Sequence, residues 1–152
     1  MIVADIKSRE KRSRNMAAIK GKDTKPEVYL RGLLFRHGYR FRKNTSLITG
    51  HPDIWMRKYN VAIFINGCFW HRHEGCKYAY KPKSNIEFWQ RKFQLNVIRD
   101  QKVRDELKSK KVRCIIVWEC TIREMRKNKA LEEEYFKKLE KLILQNNLYA
   151  EL

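Results

Sequence analysis

Cys68, His73 and Cys76 stand within nine residues of one another, spaced C-x4-H-x2-C. Thiolate and imidazole are the ligands that zinc prefers, four in a tetrahedron, and a local set completed by one distant residue is a common arrangement. The fourth ligand is one of His71, Cys114 or Cys120. Cys114 falls inside the apolar run 112–118, where a thiol reads as buried and inert. Cys120 follows the end of that run and can reach the loop. Four protein ligands make such a site structural rather than catalytic. Zinc there would also hold a long, glycine-poor loop, because metal affinity becomes folding energy. Incidental clustering of two Cys and two His in so short a loop is the weaker reading.

Three further residues carry possible acid, base or metal chemistry. Pro52-Asp53 opens a strand after a loop. A carboxylate at a sheet edge can bind Mg²⁺ and place it against a phosphodiester, although an Asp there is often only a turn residue. His71 follows Trp70 directly; an imidazole can take a proton from attacking water, or replace His73 as the zinc ligand. Glu27 stands three residues after Thr24, so a capping box competes on equal terms with a catalytic role. Around these sit Phe69, Trp70 and Trp89. Aromatics are core residues by default. Phe69 and Trp70, however, lie in a polar, basic loop, where exposed rings inside a positive field stack on bases or wedge between base steps. Phe88 is read as the core member of the Phe88-Trp89 pair.

These residues need a scaffold, and hydrophobic spacing supplies one. The capping box opens a helix running to about His37, with Pro26 in its first turn and Leu30, Leu33 and Leu34 on one face. Residues 39–43 form a short strand. Strands follow over 53–57 and 61–65, joined by a tight turn at 58–60. Residues 61–65 are apolar throughout, as befits a central strand buried on both faces. Residues 66–85 form the Cys/His loop; a loop this long in a small domain is held by something. A second capping box, Ser84 and Glu87, opens a helix over about 86–109 with Phe93, Val97 and Leu107 inward. Residues 112–118 make another buried strand. A last amphipathic helix spans about 130–145, carrying Leu131, Tyr135, Leu139, Leu142 and Ile143. The order gives an α/β fold with a central mixed sheet flanked by helices.

The chain has 152 residues, 35 of them Lys or Arg and 17 Asp or Glu, for a net charge of +18. That length suits one domain. Residues 1–23 read as a flexible or partly helical basic arm and 24–152 as a single domain. The excess charge is uneven: +10 over 1–60, +6 over 61–110 and +2 over 111–152. Such imbalance is the electrostatic footprint of a nucleic-acid binder. No apolar run approaches the ~18 residues that span a bilayer, and no export signal opens the chain. The expected place is the cytosol, with the four cysteines reduced.

The string Phe64-Ile65-Asn66-Gly67-Cys68-Phe69-Trp70-His71, followed by His73 and Cys76, resembles the signature of the very short patch repair endonucleases. Lys11-Arg12-Ser13-Arg14-Asn15-Met16, Pro52-Asp53, Glu87-Phe88-Trp89, Asn96 with Asp100, and Val117-Trp118-Glu119-Cys120 keep the family's order and nearly its spacing. The resemblance covers about residues 7–145. It implies a restriction-endonuclease-like fold with a structural zinc, and an enzyme that nicks double-stranded DNA 5′ to the thymine of a T·G mismatch. It further implies Asp53 as Mg²⁺ ligand with the Ile65 carbonyl, His71 as general base, and Glu27 near the metal's water shell. Cys68, His73, Cys76 and Cys120 would hold zinc. Phe69, Trp70 and Trp89 would wedge into the duplex, Met16 would insert from the other groove, and Lys92 and Asn96 would read the mismatch. Such an enzyme works as a monomer in the bacterial cytoplasm, on the nucleoid, with repair-pathway proteins as further partners.

Two departures stand out. Ile65-Asn66 replaces the Thr-His of the family's best-known members, and Asn66 has no acidic proton for a leaving-group role with Asp100. Gly75 is an extra residue before Cys76. Two other readings use the same residues: a zinc-stabilised DNA-binding module without catalysis, and a restriction-type double-strand endonuclease, which would need a dimer.

Overall fold

The structure, a computed structural model, describes residues 8–19 and 21–152. Residues 1–7 and Lys20, part of the expected basic arm, lie outside the described residues. Within the rest of that arm, Arg9–Ala17 form a helix, α1, started by Ser8, whose Oγ accepts the Lys11 N–H at 3.3 Å; none of its residues is buried.

The elements that follow are α2 (Lys25–Arg36), β1 (Arg42–Lys43), β2 (Ile54–Met56), β3 (Val61–Asn66), α3 (Ile86–Ser109), β4 (Arg113–Trp118), α4 (Glu119–Met125), α5 (Lys129–Leu144) and β5 (Tyr149–Glu151). The strands form one sheet in chain order. β1–β2 and β2–β3 pair antiparallel; β3–β4 and β4–β5 pair parallel. The expected α/β architecture with a mixed sheet is therefore observed, and the 61–65 run is its middle strand.

Alternation along β4 builds two cores. Ile115 and Val117 face one side, where they meet Leu30, Leu33 and Leu34 of α2, Ile122 and Met125 of α4, and Phe136, Leu139 and Ile143 of α5. Cys114, Ile116 and Trp118 face the other, against Cys68 and Leu107 of α3. Period two in the strands and periods three and four in the helices produce this layering directly.

Several expectations are corrected. Thr24 takes the N-cap backbone conformation but its side chain makes no cap bond. Glu27 turns instead to Arg31, one turn on, so the capping box is not formed. The start of α3 also moves: its N-cap is Asn85 in the left-handed region (φ 51°), which Asn tolerates, one residue later than Ser84. Phe88 is 57% exposed and Val97 46%, whereas Trp89 is half-buried. The cause is the phase of α3: its inward stripe runs Trp89, Phe93, Asn96, Asp100, Val103, Leu107, and two of these are polar. The strand expected over 39–43 shrinks to Arg42–Lys43. α4 and β5 were not expected; both are short, and β5 is a three-residue edge strand. Among the described residues no helix is long and apolar enough to cross a membrane.

Candidate active site and metal centre

A cleft of about 1450 Å³ opens where the N-terminus of α2, the C-terminal end of β3 and the inward face of α3 meet; Glu27, Asp53, Asn66, Trp70, His71 and Asp100 line it. That exceeds the ~300–1,000 Å³ typical of small-molecule pockets, so the space suits an extended ligand. Ligands of open α/β sheets commonly sit at the carboxyl ends of the parallel strands, and β3 ends here.

Asp53 precedes β2, and its Oδ2 accepts the Ile65 N–H of β3 at 2.7 Å. Burial pushes its carboxyl up to about 6; the Ile65 N–H, Arg31 and His71 pull it down, and the neighbouring Glu27 pushes it further up. A partly desolvated carboxylate beside a second one is a site that gains from a cation. The β2–β3 register, Ile54 opposite Ile63, places Pro52 opposite Ile65 when extended. Proline has no N–H, so β2 cannot donate to the Ile65 carbonyl there. The donors at hand are thus hard oxygens, which fit Mg²⁺ and not a thiophilic ion. The loop before Asp53 is set by Gly50 (φ 85°), where a Cβ would lie 2.4 Å from Val103 Cγ1 and 3.1 Å from the Phe64 ring.

Glu27 is buried (5% exposed), and Arg31 Nη2 donates to its Oε2 at 3.2 Å. His71 is fixed twice. Its backbone N–H donates to the Gly67 carbonyl at 3.1 Å, and its Nδ1 meets Asp100 Oδ2 at 2.6 Å. With a carboxylate on Nδ1, the neutral ring carries its lone pair on Nε2. Asp100, expected to work with position 66, pairs with His71. Asn66 ends β3 and lines the same cleft.

The metal-ligand atoms of Cys68, His73, Cys76 and Cys120 all lie within 4.8 Å of one another. A zinc tetrahedron with Zn–S near 2.3 Å has ligand–ligand edges of about 3.8 Å, so the four need little movement to close on an ion. His73 Nδ1 is 3.4 Å from Cys120 Sγ, and its ring stacks on Trp118 at 4.1 Å, 5° from parallel. Burial holds His73 below the ordinary imidazole value, which keeps the ring neutral as a ligand must be. Cys120 arrives on the first turn of α4, the element that the sequence did not reveal. Cys114 stays in β4, where burial pushes its thiol up to about 12. His71 is likewise outside the cluster.

Phe69, Trp70 and Trp89 gather beside the cleft with ring centroids 5.3–5.8 Å apart. Lys92 Nζ lies 5.2 Å from the Trp70 ring and 5.8 Å from Trp89. Asn96 Nδ2 donates to the Trp70 carbonyl at 3.0 Å, so in this state its amide holds the aromatic loop. Met16 sits on α1, 40% exposed, and is not part of the cleft lining.

Sequence reasoning missed the arginines that hold these parts. Arg72 donates to the Phe69, Ala79 and Tyr80 carbonyls and stacks 4.0 Å over Phe93, clasping the Cys/His loop around its aromatics. Arg113 donates to the Leu142 and Ile143 carbonyls at the end of α5. Only Arg31 left a signal, its i, i+4 spacing from Glu27.

Known proteins resemble this chain in sequence. A family model described as DNA mismatch endonuclease Vsr matches residues 4–77. The chain is 43% identical over 137 residues to the type II nicking enzyme V.NmeAIP of Neisseria meningitidis, covering 90% of this chain and 94% of that one. It is 36% identical over 123 residues to the type II nicking enzyme V.XorIIP of Xanthomonas oryzae pv. oryzae, covering 81% and 90%. It is 37% identical over 141 residues to the DNA mismatch endonuclease Vsr of Escherichia coli, covering 93% and 88%. At that identity over nearly the whole chain, with a restriction-endonuclease-like α/β core and a Cys/His cluster able to hold a metal, the chain belongs to the DNA mismatch endonuclease Vsr family.

Proposed function

We propose that this protein is a Mg²⁺-dependent endonuclease that nicks one DNA strand 5′ to the mispaired thymine of a T·G mismatch, as in very short patch repair. The observation that carries the reading is the convergence of Asp53, Glu27 and the His71–Asp100 pair on one cleft, beside a Phe69–Trp70–Trp89 cluster. Relatives named as mismatch endonuclease and nicking enzymes support it.

In this reading Asp53 and the Ile65 carbonyl hold Mg²⁺, with Glu27 beside its water shell. Bound there, the ion supplies Lewis-acid polarisation of a phosphoryl oxygen. His71 Nε2 takes the proton of the attacking water, and Asp100 stabilises the imidazolium that forms. The water oxygen bonds to phosphorus as the P–O3′ bond breaks, and the departing 3′-oxygen takes its proton from bulk water, so the nick carries a 3′-hydroxyl and a 5′-phosphate. Asn66 can orient the leaving oxygen by hydrogen bonding but cannot protonate it. Phe69, Trp70 and Trp89 enter the duplex at the mismatch, where unstacking costs least. Lys92 and Asn96 face the mispaired bases, and Met16 approaches from the other groove. Zinc on Cys68, His73, Cys76 and Cys120 keeps the aromatic loop rigid. Residues 1–23 act as a DNA-contacting arm on the single nuclease domain 24–152. The enzyme works as a monomer in the bacterial cytoplasm, alongside repair-pathway proteins.

The test is strand cleavage of T·G heteroduplexes and matched duplexes with Mg²⁺. Nicking confined to the T·G substrate, lost in Asp53→Ala while binding survives, supports the reading; binding without cleavage by wild type would leave a DNA-binding module instead.

A further inference from the structure

Arg31 is buried (7% exposed) one turn after Glu27. Its Nη2 donates both to Glu27 Oε2 at 3.2 Å and to Asp23 Oδ1 at 2.9 Å, and its Nε to the Glu27 carbonyl at 3.3 Å. Asp23 sits in the left-handed region (φ 54°) where the arm joins α2, and the same Oδ1 takes Asn44 Nδ2 at 3.2 Å. The Asn44 N–H in turn donates to the Asp53 carbonyl at 3.4 Å. One guanidinium is therefore linked to Glu27 directly, and to the backbone of Asp53 through Asp23 and Asn44.

We propose that Arg31 is a positioning residue for the active site: it sets the Glu27 carboxylate relative to Asp53 and, through Asp23, ties the base of the arm to both. The inference deepens the endonuclease reading and rests on it. Stability alone does not account for this side chain. Buried ion pairs are often no better than packed apolar residues, and Arg31 Nη1 is buried with no partner among the described residues. A fork is needed to hold a side-chain carboxylate, a second carboxylate and a carbonyl at once; a lysine, with one compact charge, cannot reproduce it. The arm end is also close to the chemistry, since Ile19 and Gly21 line the cleft together with Glu27. A duplex pressing on that end therefore bears on the Asp23–Arg31–Glu27 linkage.

The test compares Arg31→Lys with wild type, alone and in a Glu27→Gln background, on T·G heteroduplex. Arg31→Lys should lower kcat about 10- to 100-fold, the cost of misplacing a catalytic group by about an ångström. KM and heteroduplex affinity should stay within about threefold, and the loss should nearly vanish in Glu27→Gln, where there is no carboxylate charge left to place. Loss that is fully additive in that background, or a KM effect with kcat intact, overturns the proposal. Hydrogen exchange gives a readout free of activity: the amides of Val28 and Asn44, which donate to the Thr24 and Asp53 carbonyls, should exchange faster in Arg31→Lys at an unchanged global melting point. If wild type nicks no T·G duplex, the functional reading fails by itself, while unchanged exchange at Val28 and Asn44 overturns the positioning role by itself. Should Arg31→Lys not fold, Asp23→Asn carries the same test with a smaller loss in the same direction.

Discussion

Asp53 is a carboxylate whose surroundings resist its charge. Burial lifts its folded-state value to about 6 from an ordinary 3.8, so the folded protein holds this proton more tightly than the unfolded chain does. The sign follows: the stabilising contribution is fully present below about pH 4 and is lost as pH rises through about 6. At neutral pH the charged group costs about 1–3 kcal/mol. Asp53→Asn keeps an acceptor for the Ile65 N–H and cannot ionise. Without added magnesium it should melt higher than wild type near pH 7.5, and the gap should close near pH 4; thermal melts across pH check this. The same variant should not cleave DNA, a stability–activity trade-off at one residue. His71 makes the complementary case. His71→Ala should lower kcat by about 10²–10⁴-fold with DNA affinity retained, and Asp100→Asn should cost less, because it disturbs the tautomer without removing the ring. Single-turnover rates and gel-shift affinities on one substrate separate the two effects.

At the scale of elements, hydrophobic period decided most of what was legible. Leu30, Leu33 and Leu34 gave α2, and the unbroken apolar runs gave β3 and β4 as central strands. α3 was bounded correctly, with Phe93 and Leu107 buried as expected, but Phe88 and Val97 are exposed, because the stripe that faces the body passes through Asn96 and Asp100 while counting apolar residues pulls toward Phe88 and Val97. α4 was hidden by its length: Ile122 and Met125 are a single i, i+3 pair. The Thr24–Glu27 capping box fitted the pattern yet was not made, since Glu27 had a buried arginine to meet instead, and α3 takes Asn85 rather than Ser84 as its N-cap. Side chain–backbone clasps such as those of Arg72 and Arg113 have no period at all, as their partners lie elsewhere in the chain. The candidate metal ligands Cys68, His73 and Cys76 were legible from their spacing, but the choice of His73 over His71 and of Cys120 over Cys114 needed the resemblance, because those pairs are separated by fold and not by spacing. Two tests belong here. Gly50→Ala should destabilise by about 2–3 kcal/mol in denaturant titration, since a Cβ at φ 85° meets Val103 and Phe64. Metal analysis should find about one zinc per chain, retained in Cys114→Ser and lost in Cys120→Ser, with strong chelators loosening the 67–85 loop.

For the whole molecule, a net charge of +18, concentrated in the first two-thirds of the chain, accompanies a cleft of about 1450 Å³ with Trp70 in its lining. In the function proposed above, charge provides affinity, rings provide the entry into the stack, and the carboxylates with His71 provide the cut. Affinity for duplex should therefore fall about 100-fold or more between roughly 50 and 200 mM salt, as released counterions require, for matched and mismatched DNA alike. Trp70→Ala should weaken discrimination between the two while leaving that salt slope unchanged. The most direct measurement is a denaturing gel that maps the cut on a T·G heteroduplex end-labelled on each strand in turn. The account predicts one nick, on the thymine strand, 5′ to the mispaired thymine, with a 5′-phosphate and an absolute need for Mg²⁺. Cleavage of both strands, equal cleavage of matched duplex, or none with any divalent ion would contradict it.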